Sequence, residues 1–439
     1  MRNKFEIANC PCGKKHIADI DDIIVENGAI NRLPEVINGY GAKKAFILAD
    51  VNTYKAAGER TVSILCENSV PFSSYVFQNA ALEPDELAVG SAVMHFDNSC
   101  DILIGVGSGV INDICKILSF RSKIPYIIVA TAPSMDGYAS ATSSMSMDGL
   151  KVSLPDKCAD TIIGDIDILK NAPEKALISG LGDMLAKYIS IAEWRISNII
   201  TGEYYCEEIA QMIRDAVKKC VQNADGLLKR DDAAVKAVFE GLVIGGIAMT
   251  CAGLSRPASG VEHYFSHIWD MRGLEFGTPV STHGIQCAIG TLYAARLYNK
   301  IKNAKPDREK ALRYVSCFDY EAYKKKLKAF LGKGADTMTA LEKKEKKYEQ
   351  KAHLKRLEII INSWERIVAV INEEIPEPQF IESILDKIHC PKTAEEIGID
   401  PKILPMTFAA TKDIRDKYVL SRLCWDLGIS EFFEETAEW

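Results

Sequence analysis

The chain has 439 residues, 47% of them hydrophobic and 26% charged, the composition of an ordinary globular protein long enough to build two domains. A net charge of −7 with no strongly basic domain argues against a nucleic-acid surface, and no stretch approaches about eighteen uninterrupted apolar residues, so no membrane span is expected. Thirteen cysteines are scattered without framework spacing behind an N-terminus, MRNKFEIANC, that lacks an apolar signal core, which points to reduced thiols in the cytoplasm.

In chain order, the first stretch with chemistry in it is CPCGKKH at 10–16. A C-x-C-x3-H string has donors for a metal, but four ligands are not evident, and the stretch reads as a hairpin near the N-terminus. KAFILAD (44–50), SSYVFQ (73–78), DILIGVG (101–107) and PYIIVAT (125–131) are short apolar runs that end in turn chemistry. Segments of helical composition, such as 54–67 and 84–96, lie between them. This alternation predicts βαβ units and a parallel sheet with helices on both faces. From about residue 160 the pattern changes: 180–200, 203–228, 232–254, 284–300 and 306–330 carry helical periodicity with few strand candidates. The expected organisation is an α/β domain over 1–160 with Rossmann-like nucleotide binding, followed by an all-α domain over 161–439. The lysine- and glutamate-rich run 333–357 reads as solvated helix surface.

GVGSGVINDICK (105–116) follows a strand and opens a helix. Its glycines allow close backbone approach, and a helix N-terminus offers N–H groups and a positive dipole end to a pyrophosphate. Asp50, at the end of an earlier strand, has a carboxylate suited to ribose hydroxyls. In the usual dinucleotide fingerprint that acid follows the glycines by about twenty residues. Here it precedes them.

Three of the seven histidines fall within twenty-one residues: His263 and His267 in SRPASGVEHYFSHIWD, and His283 in STHGIQCAIGT. At i and i+4 on a helix, His263 and His267 share a face. Asp183, in ISGLGDMLAKYISIAEW, offers a carboxylate, with Lys187 one helical turn on. Imidazoles and one carboxylate with positions left open make a catalytic type of site for a divalent metal.

The strings GVGSGVINDICK, TAPSMDGYAS, GLGDMLAK, SRPASGVEHYFSH and THGIQ, in this order and at these separations, resemble those of the sn-glycerol-1-phosphate dehydrogenases. That family lies within the glycerol dehydrogenase, dehydroquinate synthase and iron-containing alcohol dehydrogenase superfamily. The resemblance implies metal ligation by Asp183, His263 and His283, with His267 on the substrate. It implies nicotinamide-cofactor contacts from Asp50, from the turn Gly107, Ser108, Gly109, Asn112 and Asp113, and from Thr131, Ser134 and Ser140. Asp136 is implied to bind substrate hydroxyls, and the early position of Asp50 is the superfamily's normal order. Iron-type alcohol dehydrogenases carry a further ligand histidine where this chain has Lys187, and dehydroquinate synthases a glutamate where Asp183 stands.

A guanidinium beside an ammonium suits a phosphate monoester, so Arg256 and Lys187 are the expected phosphate contacts. The implied reaction is NAD(H)- or NADP(H)-linked reduction of glycerone phosphate to sn-glycerol 1-phosphate, and its reverse. One divalent ion (zinc, nickel or ferrous iron) would polarise the carbonyl, and His267 is the nearest proton carrier. The expected partners are a small phosphorylated three-carbon substrate and copies of the chain in a homodimer or larger homo-oligomer. The alternative is a glycerol, polyol or alcohol dehydrogenase of the same superfamily acting on an unphosphorylated substrate.

Overall fold

Burial on both faces makes KAFILAD, DILIGVG and PYIIVAT inner strands of a parallel sheet, and SSYVFQ pairs beside them at its half-buried edge. In the computed structural model, which describes residues 5–147 and 150–434, a short antiparallel hairpin comes first, β1 (Phe5–Ile7) and β2 (His16–Ala18). β3 (Asp22–Glu26), β4 (Ala45–Asp50), β5 (Phe72–Phe77), β6 (Ile102–Gly107), β7 (Tyr126–Ala130) and, after the hairpin β8 (Thr142–Met147) and β9 (Leu150–Pro155), β10 (Thr161–Asp165) follow. Six of these form one parallel sheet in the order β3-β10-β7-β6-β4-β5. Ile47, Ile104, Ile127 and Ile163 pack in its core with Ile37, Ile64 and Leu65 from the covering helices. The sequence reading missed β3 and β10. Both are five residues long, and β3 is largely exposed, so neither shows a long apolar run.

Helices of eight or more residues are numbered in chain order. α1 (Leu33–Tyr40), α2 (Glu59–Glu67), α3 (Glu86–His95) and α4 (Gly109–Ser122) connect the strands. From β4 the chain goes to β5 on one side and then returns to β6 on the other. The pairing from Ala45↔Ile102 to Leu48↔Gly105 brings the carboxyl ends of β4 and β6, at Asp50 and Gly107, side by side. In an open α/β sheet, that switch point is where a ligand binds.

The chain divides into two compact units. The first holds the described residues up to Met184 together with Glu208–Ser255; the second holds Leu185–Glu207 and the described residues from Arg256 on. α5 (Glu174–Leu185) ends, and α6 (Lys187–Thr201) begins, around Ala186. Asp183 and Lys187 therefore do not share one continuous helix, contrary to the spacing argument above. After α7 (Glu207–Gln222), α8 (Asp232–Ala252) returns to the first unit. α8 is long and apolar enough to cross a membrane, but 67% of its most apolar window is buried, which is the signature of a core helix.

The second unit is helical. α9 (Val261–Phe276) and α10 (His283–Ile301) are followed by α11 (Arg308–Ser316), α12 (Tyr320–Leu331), α13 (Gly334–Glu345), α14 (Gln350–Asn362), α15 (Trp364–Glu374), α16 (Pro378–Lys387), α17 (Leu404–Thr411) and α18 (Leu420–Leu427). Ile268, Leu327, Leu331, Met338 and Ala410 form a core cluster. The lysine-rich run becomes α13 and the first half of α14, with Met338, His353 and Leu357 buried while Lys343, Lys344 and Lys346 face solvent.

Candidate active site

The glycine-rich turn divides its glycines between packing and access. A Cβ on Gly105 would lie 2.7 Å from Cys115 Sγ, and one on Gly107 would lie 2.5 Å from Ile111 Cβ, so both let β6 pack against α4. At Gly109 a Cβ would meet only ordinary contacts, at 3.5 Å from Met135. Ser108 caps α4 without a side-chain bond to its first N–H groups, which leaves that end of the helix suited to an anion. Asp50 spends Oδ1 on capping the N–H groups of Asn52 and Thr53, at 2.8 and 2.9 Å.

Other residues expected at the cofactor hold the loop after β7. Lys116 is buried and donates to the Gly137 carbonyl (2.6 Å), Ser140 Oγ (3.0 Å) and the Thr142 carbonyl (2.9 Å). Asn112 is buried too, donating to the Gly137 carbonyl at 3.0 Å and accepting from Tyr126 Oη at 3.1 Å. Asp113 accepts from the Ser144 N–H at 3.2 Å and pairs with Lys116 at 3.4 Å. These bonds give Asn112, Asp113 and Ser140 a scaffolding role that the sequence did not disclose. Thr131 donates its N–H to the Gly107 carbonyl at 3.1 Å, joining the loop to the glycine turn.

α5 reaches the same loop through a glycine. A Cβ on Gly180 would run into the Pro133 carbonyl, and Ser179 Oγ donates to the Ser134 carbonyl at 3.0 Å. One turn on, buried Asp183 accepts the Asp136 N–H at 3.0 Å, so the GLGD string sets its carboxylate against the loop. From above the loop, α8 approaches through Gly246, where a Cβ would sit 2.8 Å from the Asp136 carbonyl oxygen.

In the second unit, close packing of α9 on α10 brings the histidines together. A Cβ on Gly290 would lie 2.6 Å from the Glu262 carbonyl oxygen, and with glycine there the His263 and His283 rings sit 5.1 Å apart. His267 lies 6.4 and 5.8 Å from those rings. His263 Nδ1 contacts buried Glu262 Oε1 at 2.7 Å, and His283 Nδ1 contacts Ser266 Oγ at 3.0 Å. Gln286, of the THGIQ string, donates to the same Ser266 oxygen at 3.0 Å; a hydroxyl oxygen accepts two such bonds. With both Nδ1 atoms engaged, each Nε2 is left as the ring's ligand atom, the arrangement in which an outer carboxylate or hydroxyl orients a metal-binding imidazole. Cys287 Sγ lies 3.6 Å from His283 Nε2 and adds a soft donor that the sequence reading overlooked. The donor set suits a divalent transition ion.

A second pair of carboxylates steadies this arrangement. Glu193 accepts the N–H groups of Val261 (2.9 Å) and Leu420 (2.8 Å). Burial first, and the neighbouring Glu262 carboxylate second, hold its carboxyl well above the usual range. A Cβ on Gly260 would sit within 2.7 Å of both carboxyl groups, which is why SGVEH needs its glycine.

Of the two expected phosphate contacts, Arg256 is otherwise engaged. It is 2% exposed; Nε donates to Glu203 Oε1 (2.8 Å), Nη1 to the Tyr418 carbonyl (2.8 Å) and Nη2 to Ser197 Oγ (3.1 Å) and Glu203 Oε2 (2.6 Å). A guanidinium bound in this way acts as a structural clasp. Lys187 is buried at the start of α6. Two other cations, both missed in the sequence, act on His267. Burial pushes the His267 imidazole well below its usual range, and Arg415, His283, His263 and Lys417 push it further. Lys417 Nζ donates to the Ser259 carbonyl at 2.7 Å and lies 5.8 Å from the Tyr264 ring, whose buried hydroxyl has no hydrogen-bond partner among the described residues. In sequence DIRDKY looks like any charged turn, and only the fold brings it to the histidines.

A parallel sheet with a glycine turn at its switch point, followed by a helical unit presenting paired imidazoles, defines the iron-containing alcohol dehydrogenase and dehydroquinate synthase-like class. Residues 24–173 match the family described as iron-containing alcohol dehydrogenase. Solved structures with the same fold include glycerol dehydrogenase from Schizosaccharomyces pombe (TM-score 0.61, 17% identity, 94% of this chain and 90% of that one). Another is the iron-containing alcohol dehydrogenase from Thermococcus thioreducens (TM-score 0.58, 14% identity, 94% and 98%). Within the class, this chain is 30% identical to a glycerol-1-phosphate dehydrogenase, NAD(P)+, of Bacillus licheniformis over 71% of its own length and 80% of the relative's. It is 29% identical to that of Halalkalibacterium halodurans (87% and 86%) and 31% identical to that of Methanosarcina acetivorans (63% and 76%). The chain belongs to the glycerol-1-phosphate dehydrogenase family.

Proposed function

We propose that this NAD(P)-dependent oxidoreductase reduces glycerone phosphate to sn-glycerol 1-phosphate, and runs the reverse reaction, with the metal ligands that the family resemblance implies, Asp183, His263 and His283. The observation that carries this reading is the pair of imidazoles with both Nδ1 atoms fixed by neighbours, beside His267, which feels the cations Arg415 and Lys417. When bound, a divalent ion supplies Lewis-acid polarisation of the substrate carbonyl and the nicotinamide supplies the hydride.

The chain's own residues do the rest. Glu262 and Ser266 keep the two imidazoles aimed, and the Asp136 N–H keeps Asp183 in place. Asp136 holds the substrate hydroxyls. His267 is neutral in this environment, so it relays a proton from solvent to the developing alkoxide and does not store one. Gly107, Ser108, Gly109 and the first N–H groups of α4 hold the pyrophosphate, while Thr131 and Ser134 line the nicotinamide end. Since Oδ1 of Asp50 caps a helix, a ribose contact falls to Oδ2. Lys417 and Arg415, with the Tyr264 hydroxyl, receive the phosphate, and Lys187 adds a buried positive charge. The family resemblance implies a homodimer or higher homo-oligomer, which light scattering reads directly.

The test is selectivity. Lys417→Met in the metal-loaded enzyme should cut kcat/KM for glycerone phosphate by roughly ten- to a hundredfold, the loss of one charge-assisted contact worth about 1.5–3 kcal/mol. Its activity on dihydroxyacetone should change little. Equal loss on both substrates would place the phosphate elsewhere.

A further inference from the structure

The N-terminal hairpin carries a group of donors that the reaction does not use. β1 and β2 pair with Ile7 opposite His16, and the connecting loop contains Cys10 and Cys12. Gly13, at a φ of 80°, donates its N–H to the Cys10 carbonyl at 3.0 Å and turns the chain back, so that both thiols face the start of β2. Cys12 Sγ lies 3.2 Å from His16 Nε2, and the donor atoms of Cys10, Cys12 and His16 are all within 4.8 Å of one another. His16 and Cys10 are buried, and Cys12 is partly buried.

The other ring nitrogen of His16 shows how the imidazole is set. Nδ1 lies 2.9 Å from the carbonyl oxygen of Cys251, at the C-terminal end of α8. A carbonyl only accepts, so Nδ1 carries the proton and Nε2 presents its lone pair toward the sulfurs. A backbone carbonyl fixing the tautomer of an imidazole whose opposite nitrogen meets thiols is the outer-shell pattern of a zinc-bound histidine. Ligand atoms around tetrahedral zinc lie on the order of 3.5 Å apart, given bonds of about 2.0–2.3 Å, so small movements of the two thiols close the site.

We propose that Cys10, Cys12 and His16 bind a structural zinc ion, separate from the catalytic metal, that staples the N-terminal hairpin to the end of α8. Both thiols bind as thiolates and release their protons to solvent; nothing is oxidised. A fourth ligand, thiolate or water, completes the tetrahedron.

Cobalt(II) substitution in the full-length protein tests this, because thiolate-bound cobalt gives an intense near-ultraviolet charge-transfer band that imidazole and carboxylate ligands do not. The wild-type chain should show the band. Cys12→Ser and Cys10→Ser should each lose most of it and about one equivalent of zinc per chain, while turnover per catalytic metal stays as in wild type. Cys287→Ser controls for the thiol beside the catalytic histidines and should retain the band. If folding suffers in the serine variants, the wild-type protein still decides: the reactivity of Cys10 and Cys12 toward a thiol reagent, read by peptide mapping, should be suppressed by zinc and restored by a chelator. Absence of the band in wild type, a band lost only in Cys287→Ser, or reactivity indifferent to zinc would overturn the proposal.

Discussion

Lys417 and Arg256 are two basic side chains of the same helical unit put to different uses. Arg256 holds Glu203, Ser197 and a backbone carbonyl, so Arg256→Ala strands the Glu203 carboxylate. By the loss of charge-assisted bonds to a part-exposed carboxylate it should lower stability by about 1.5–3 kcal/mol in a denaturant titration, with comparable losses on phosphorylated and unphosphorylated substrates. A selective loss on glycerone phosphate would return Arg256 to the substrate. Its partner is fifty-three positions away in the chain, which is why no local pattern revealed the clasp. Lys417 donates to the Ser259 carbonyl, and its pKa is pushed down to about 7 by burial and then by Arg256 and Arg415, against the pull of Glu262 and Glu203. The free enzyme therefore loses this ammonium as pH rises through about 7. The value of kcat/KM for glycerone phosphate should fall over that range while that for dihydroxyacetone does not, and Lys417→Arg, whose charge persists, should remove the fall. Parallel pH profiles for the two substrates would refute the assignment. The histidines, Asp183 and the glycine turn were legible as residue types at telling separations; Lys417 and Arg415, in an unremarkable charged turn, were not.

At the scale of elements, the site depends on how closely helices approach. Gly290→Ala puts a Cβ 2.6 Å from the Glu262 carbonyl oxygen and should spread α9 from α10. The overpacking costs about 1–3 kcal/mol, and metal affinity should drop at least about tenfold as the Nε2 atoms separate. Unchanged affinity with a lowered Tm would mean the helices yield elsewhere. Glu193, on α6, joins the start of α9 to the start of α18 and stays protonated above the ordinary carboxylate range. Its contribution to stability is therefore fully present below about pH 4.5 and is lost as pH rises through the folded-state value. In thermal melts of the metal-loaded enzyme from about pH 5 to pH 8, wild type should lose Tm faster than Glu193→Gln; identical slopes would show that the carboxyl is ionised throughout. β4, β6 and β7 were readable because burial on both faces leaves continuous apolar runs, and the half-buried edge strand β5 by its β-rich six-residue run. β10, buried but only five residues long, and the exposed edge strand β3 lack that signal. The break at Ala186 was also hidden, since Asp183 and Lys187 keep helical spacing across it.

For the whole molecule, the sheet order explains the inverted fingerprint. Asp50 precedes the glycine turn in sequence, yet β4 and β6 are neighbours, so the acid and the turn end side by side at the switch point. The architecture was foreseeable from the alternation of runs and the later helical periodicity, and the family from five short strings in register. Catalysis itself is tested most directly by the handedness of the product. The metal-loaded protein given NADH and glycerone phosphate should oxidise one NADH per product molecule, and an enzyme specific for sn-glycerol 3-phosphate should leave that product untouched. Oxidation of the product by that enzyme, or turnover of glycerol with NAD+ but none of glycerone phosphate with NADH, would contradict the account.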